Sequence, residues 1–249
     1  MRYILLTGSS RGIGAAAADA LRQRGVEIIT HRSKSSSSGS GDDHIAADFS
    51  EPVGAQTLWD EALERSGGRI AAVINNAGLF QANPVDASDI EWLDAWEETL
   101  RINLTAAAQL SRFAVRHWQS NATGDSDVHG GVRGRLVHVA SRAAYRGDSP
   151  AHWHYAAAKG GMVAMHKTIA RAYAAEGILS FAITPGFVDT AMAGDYLESR
   201  GGPGLLADIP LGRVATPEEI ARIITFCALD APPSMTGAVI DANGASFVR

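Results

Sequence analysis

The chain has 249 residues, 46% of them hydrophobic and 20% charged, a length and balance that suit one α/β domain with its own core. Its formal net charge of −5 argues against a nucleic-acid partner, and its single cysteine, Cys227, excludes an internal disulfide. No apolar run approaches the roughly 18 residues that a membrane span needs, and Met1-Arg2-Tyr3 leads straight into Ile4-Leu5-Leu6 without the apolar core of a signal peptide, so a cytoplasmic protein is expected.

Short apolar runs alternate with helical patterns along the whole chain. In order, the pattern predicts a strand over 3–6, a helix over 13–24, a strand over 27–30, a serine/glycine loop over 33–41 and a strand over 44–47. A helix over 56–66, a strand over 71–74 and one long helix over 90–119 follow, then a glycine-rich loop over 121–134 and a strand over 135–139. A helix over 153–176, a strand over 179–183, a helix over 217–229 and a strand over 239–241 complete the set. Thr216, Pro217 and Glu219 spell a capping box for the last helix. Alternation of apolar strands with helices implies a seven-stranded parallel sheet covered by helices on both faces, a doubly wound Rossmann fold in a single domain over 1–249. Its ligand crevice is expected outside the carboxyl ends of the strands.

The first strand runs into Thr7-Gly8-Ser9-Ser10-Arg11-Gly12-Ile13-Gly14. Gly8, Gly12 and Gly14 give a tight turn, a close approach to a pyrophosphate and close packing of helix on strand, and the helix start offers free N–H groups to phosphates. The spacing is G-x-x-x-G-x-G rather than G-x-G-x-x-G. Ser10, Arg11 and Ile13 belong to the same turn and are candidate cofactor contacts. The second strand ends in Thr30-His31-Arg32-Ser33-Lys34, without the acidic residue that would accept from ribose hydroxyls. Arg32 and Ser33 could instead hold a 2′-phosphate, so NADP(H) is expected over NAD(H). Asp48, with Phe49 beside it, is placed after the third strand to meet the adenine, although Asp48 could equally cap a helix.

Tyr155 and Lys159 stand one turn apart on a helix. An ammonium so close is expected to lower the phenol from its usual pKa of about 10, fitting it to pass a proton to or from a substrate oxygen. Ser141 lies upstream at a strand end. His152 and His154 flank Tyr155 and read as helix-start residues, Trp153 as packing or pocket wall, and Cys227 as a buried apolar residue.

Taken together, Thr7–Gly14, Asn75-Asn76-Ala77-Gly78, Asn103, Ser141, Tyr155 with Lys159, and Pro185-Gly186-Phe187-Val188-Asp189-Thr190 resemble the short-chain dehydrogenase/reductase family over nearly the whole chain, most closely its bacterial 3-oxoacyl-[acyl-carrier-protein] reductase branch. The resemblance implies that Tyr155 is the general acid of a carbonyl reduction and that Lys159 tunes it and binds the nicotinamide ribose. It implies that Ser141 orients the substrate oxygen and that Asn103 helps to hold a water linking Lys159 to solvent. Asn75, Ala77 and Gly78 would line the adenosine side, and Pro185, Gly186, Val188 and Thr190 would cover the nicotinamide. Residues 190–211 would form the substrate lid, with Met192, Tyr196 and Leu197 and a Gly201-Gly202-Pro203-Gly204 joint. The resemblance also implies a homotetramer, to which the apolar residues Leu93, Trp96, Leu100, Leu104, Leu110, Ala114 and Trp118 would contribute.

The reading is therefore an NADPH-dependent carbonyl reductase acting on a small-molecule carbonyl or alcohol, with an acyl-carrier-protein thioester as one candidate substrate and no metal. An acidic carrier protein would want a basic patch, for which Arg142, Arg146, Arg171 and Arg200 are candidates. The alternatives are an NAD-linked dehydrogenase of a sugar, polyol or hydroxysteroid, and a catalytically silent cofactor-sensing regulator. The retained Tyr155 and Lys159 argue against the regulator.

Overall fold

Every apolar run becomes a strand of one parallel sheet in the computed structural model, which describes residues 2–33, 44–121, 131–190 and 202–248. The strands are β1 (Tyr3–Leu6), β2 (Glu27–Arg32), β3 (His44–Ala46), β4 (Ile70–Asn75), β5 (Gly134–Val139), β6 (Ile178–Pro185) and β7 (Val239–Ala242). Their order is β3-β2-β1-β4-β5-β6-β7, so the winding reverses beside β1 and opens a crevice between the ends of β1 and β4. Helices α1 (Gly12–Gln23), α2 (Gly54–Ser66), α3 (Asp89–Leu100), α4 (Ala106–Ser120), α5 (Ala143–Arg146), α6 (Trp153–Tyr173), α7 (Gly202–Ala207) and α8 (Pro217–Thr225) complete the described elements of note. Most of the predicted loops over 33–41 and 121–134, and Met192, Tyr196, Leu197 and Gly201 of the predicted lid, lie outside the described residues.

Strand alternation divides the core. Ile4 and Leu6 face α1 and α8, packing with Leu21, Ile220 and Ile224, while Leu5 faces α2 and α4, packing with Leu58, Leu110 and Trp118. Leu5 and Leu6 are fully buried, each contributing about 1.5–3 kcal/mol of transfer free energy. Cys227 closes the first cluster, and burial pushes its thiol up to about 12, so it is an inert packing residue. Leu110, Ala114 and Trp118, expected to serve a subunit contact, pack on the chain's own sheet. Among the exposed apolar residues, three lie on and around α3: Ile90 is 76% exposed, Leu93 50% and Trp153 54%.

The long predicted helix over 90–119 is helical throughout, with one change of pitch. Its start carries an unanticipated capping box, Ser88 with Glu91, and a π-helical turn at Arg101–Thr105 joins α3 to α4. Asn103 lies in that turn, fully buried. A second π turn, Phe226–Asp230, ends the last helix, and a 3-10 turn, Ala174–Glu176, ends α6.

Five of the described histidines are buried: His31, His138, His152, His154 and His166. Burial pushes His31 down to about 4, His138 to about 3 and His166 to about 4, from an ordinary 6.5. As pH falls below 6.5 the unfolded chain takes up these protons first, because the folded imidazoles resist until about 4 or 3. Their contribution is thus complete above pH 6.5 and is lost as pH falls toward 4, on the order of a few kcal/mol in all. The urea midpoint should drop clearly between pH 7.5 and pH 5; an unchanged midpoint would contradict neutral buried imidazoles.

Candidate active site

The strand ends and the turns that follow them enclose a cavity of about 700 Å³, a size suited to a dinucleotide with a small substrate. One end of it is the glycine turn, where Gly8, Ser10, Arg11, Gly12, Ile13 and Gly14 all line the wall. Gly8 holds φ +64°, and a Cβ there would stand 2.7 Å from the Ala77 Cα. A Cβ on Gly14 would collide with the Gly8 carbonyl oxygen. Asn76 locks the turn: its Nδ2 donates to the carbonyls of Thr7 and Gly8, each at 3.0 Å, and its N–H donates to Thr7 Oγ1 at 2.9 Å.

Ser33, Asp48 and Phe49 line the cavity, as do Ala77 and Gly78. Asp48 Oδ1 also accepts from the Ser50 N–H at 2.9 Å and from its hydroxyl at 2.6 Å, so it shapes the turn as well as the wall. Two expected contacts fall elsewhere. Asn75 is buried, donating to Ser111 Oγ at 3.2 Å with His138 Nδ1 at 3.3 Å. It serves the core because alternation along β4 turns it away from the crevice; its neighbour Asn76 meets the cavity. Arg32 ends β2 half-buried beside Ala46 and is not part of the cavity wall, whereas Ser33 and Arg11 are.

At the other end, Pro185, Gly186, Phe187, Val188 and Thr190 form an extended flap over the cavity. Ala215 holds it, donating its N–H to the Phe187 carbonyl at 3.0 Å and accepting from the Asp189 N–H at 2.9 Å. A Cβ on Gly12 would reach within 3.1 Å of Thr190 Cγ2, so glycine turn and flap nearly touch across the space a dinucleotide would thread.

Ser141, Tyr155 and Lys159 line the same cavity. Ser141 follows β5, and α6 carries Tyr155 and Lys159 on one face. The Ser141 side chain lies close enough to pull the Tyr155 phenol toward ionisation, and its Oγ accepts from the Ala143 N–H at 3.1 Å. Phe80 stands with its edge to the Tyr155 ring at 4.8 Å and stacks on His152 at 4.0 Å. Lys159 Nζ donates to the Val139 carbonyl at 2.8 Å and lies 5.8 Å from the Tyr155 ring centroid.

The expected depression of the phenol is not what this arrangement produces. Burial pushes Tyr155 up to about 12, against the pull of the Ser141 side chain and with a further push from Asp148. The Lys159 ammonium is turned to Val139, and burial lowers it to about 8. The phenol therefore holds its proton at neutral pH, the form that a general acid needs.

The Asn103 side chain binds the backbone of Leu79. Its Oδ1 accepts from the Leu79 N–H at 2.6 Å and its Nδ2 donates to the Leu79 carbonyl at 2.8 Å. It clamps the strand-end loop: a Cβ on Gly78 would lie 3.2 Å from Asn103 Oδ1 and 3.6 Å from Lys159 Nζ. Neither His152 nor His154 is part of the cavity wall, and Trp153 faces outward against Trp92. Wall residues that sequence patterns gave no cavity role include His31, Asn76, Leu79, Phe80 and Phe187, and Arg142, expected on a basic patch, is also part of the wall. Asn76 and Phe187 could have been found inside their motifs; the others needed the fold. Arg142 is buried over the Phe187 ring, and Arg146 pairs with Asp208 at 2.6 Å. Arg200 of the expected basic patch lies outside the described residues.

A glycine-lined dinucleotide cavity with a serine, tyrosine and lysine at its far end defines a nucleotide-dependent oxidoreductase of the α/β class. Comparison with known proteins agrees. A family model described as enoyl-(acyl carrier protein) reductase matches residues 8–244, and the chain belongs to the short-chain dehydrogenase/reductase family. It is 27% identical to 3-oxoacyl-[acyl-carrier-protein] reductase FabG of Escherichia coli, over 99% of this chain and 98% of that one. It is 30% identical to the protein of the same name in Pseudomonas aeruginosa and 32% identical to acetoacetyl-CoA reductase of Shinella zoogloeoides, with the same coverage. The protein is an NAD(P)-dependent oxidoreductase acting on carbonyl and hydroxyl groups. Among its described residues no helix is long and apolar enough to cross a membrane.

Proposed function

We propose that the protein is an NADPH-dependent carbonyl reductase of 3-oxoacyl compounds, with Tyr155 as general acid. The observation that carries this reading is the placement of Ser141, Tyr155 and Lys159 in the cavity whose other end is the glycine turn. The wall fits a nicotinamide dinucleotide: the three glycines leave room that any Cβ would fill, and Arg11 and Ser33 supply a cation and a hydroxyl on the adenosine side. When bound, NADPH supplies the hydride. Arg32, next to Ser33, adds positive charge near a 2′-phosphate without forming the wall, which supports NADPH less directly than a wall contact.

Ser141 and Tyr155 would present two hydroxyls to one carbonyl oxygen, stabilising the negative charge that develops there. Tyr155 would release its proton to that oxygen, and Lys159 would then face a phenolate that its ammonium favours. Asn103 would act by holding Leu79 and Gly78 against Lys159. The flap from Pro185 to Thr190 would cover the nicotinamide and exclude water.

The names of the relatives favour a 3-oxoacyl group, carried on a thioester to acyl carrier protein or coenzyme A, as the substrate. A panel of acetoacetyl thioesters, plain ketones, sugars and polyols, each with NADPH and NADH, tests the reading. We expect the 3-oxoacyl thioesters with NADPH to give the highest kcat/KM; a sugar or polyol oxidised best with NAD would replace it. The exposed Ile90, Leu93 and Trp153 support assembly through α3, and we place the enzyme as a homotetramer. Light scattering that finds a stable monomer at micromolar concentration would remove that assembly.

A further inference from the structure

We propose that His31 is a positioning residue of the cofactor site, a neutral imidazole that pins the glycine turn to the adenosine side and so holds both halves of the dinucleotide cradle in register. The inference rests on the nicotinamide-cofactor reading above.

β2 delivers the ring to the cavity wall at the carboxyl edge of the sheet. The Gly8 N–H donates to Nδ1 at 3.1 Å, and Nε2 lies 2.9 Å from the Ala47 carbonyl oxygen. A main-chain N–H can only donate and a carbonyl can only accept, so the two contacts together fix the tautomer: Nδ1 is bare and Nε2 carries the hydrogen. The face of the ring stacks on Phe49, centroids 4.4 Å apart and planes 13° from parallel. One side chain therefore touches the glycine turn, the residue after β3 and an aromatic wall of the adenosine side. Its own backbone is tied to the turn as well, the Ser9 N–H donating to the His31 carbonyl and the His31 N–H to Ser9 Oγ, each at 3.0 Å.

The Gly8 bond matters because Gly8 sits at φ +64° against Ala77 and has little freedom to find another partner. A protonated imidazole carries hydrogens on both nitrogens, so Nδ1–H would face the Gly8 N–H, donor against donor. Burial is the main force keeping the ring neutral; His44 adds to it, while Asp48 and the Ala47 carbonyl work against it. Ser9, the remaining polar side chain of the turn near the ring, carries no charge.

Asn and Gln separate the two ring contacts. Asn places an acceptor oxygen near the position of Nδ1, whereas Gln reaches the position of Nε2 and leaves the Gly8 N–H unmet. The affinity of NADP+ for the wild-type protein and for H31N and H31Q should be measured at neutral pH by calorimetry, with a thermal melt of each. We expect H31N to bind within about 3-fold of wild type and H31Q to bind about 10-fold more weakly, the value of one lost hydrogen bond. The two melts should not differ in proportion. Equal weakening of both variants, or no weakening of H31Q, would overturn the proposal. Imidazole nitrogen NMR on the wild-type protein gives a check that needs no variant: the Nε2–H tautomer is expected at neutral pH, and an Nδ1–H tautomer or a cation would overturn it. Failure of the wild-type protein to bind NADP+ or NAD+ at all would fault the cofactor reading instead, leaving the tautomer measurement to judge His31.

Discussion

Tyr155→Phe should lower kcat by about a thousandfold, within the range for loss of a general acid, while NADPH still binds with near wild-type affinity. The substitution keeps the ring, which packs against the Phe80 edge and beneath Lys159, and removes only the hydroxyl near Ser141. Because burial holds the phenol protonated to about 12, a proton is ready for the substrate oxygen at neutral pH, and phenylalanine has none to give. Single-turnover kinetics with cofactor prebound isolates the effect from binding. Near-normal turnover would remove Tyr155 from the chemistry, and lost cofactor binding would mean that the ring position, not the proton, had changed.

Gly14→Ala should be the most damaging single-methyl change at the cofactor end. The added Cβ would meet the Gly8 carbonyl oxygen and lie 2.6 Å from the Asn76 amide that locks the turn. The backbone cannot yield without separating α1 from β1, so we expect a loss of about 2–3 kcal/mol in stability. Distortion of the turn should also weaken NADPH by about 100-fold, equivalent to some 2.7 kcal/mol. Denaturant melts and calorimetric titration measure the two losses separately. Wild-type values for both would mean that the helix start is loosely packed.

Much of this site is legible in the amino-acid sequence. The glycine turn can be read because its chemistry is local: three glycines after an apolar run leave few other uses for that spacing. Tyr155 and Lys159 are legible for the same reason, four residues apart on one helix. Legibility fails where burial or strand parity decides. Asn75 and Asn76 are adjacent in a motif, and only the pleat of β4 sends one to the core and the other to the cavity. Sequence spacing predicts a phenol depressed by Lys159, but desolvation outweighs a charge that is already turned to Val139. The π turn at Asn103 leaves no apolar gap in the helical pattern, so 90–119 reads as one helix. His31 carries no signal, since its role depends on Gly8, Ala47 and Phe49 meeting in space.

In the proposed function, one cavity binds NADPH and reduces a 3-oxoacyl carbonyl. Nicotinamide absorbance, followed with purified wild-type protein, NADPH and acetoacetyl-CoA, tests it most directly. NADPH oxidation is expected to depend on the thioester, to form the 3-hydroxyacyl product and to be lost in Tyr155→Phe. Tight NADPH binding with no oxidation by the thioester or by any ketone would contradict it, and would favour a cofactor-sensing protein that keeps the catalytic residues without using them.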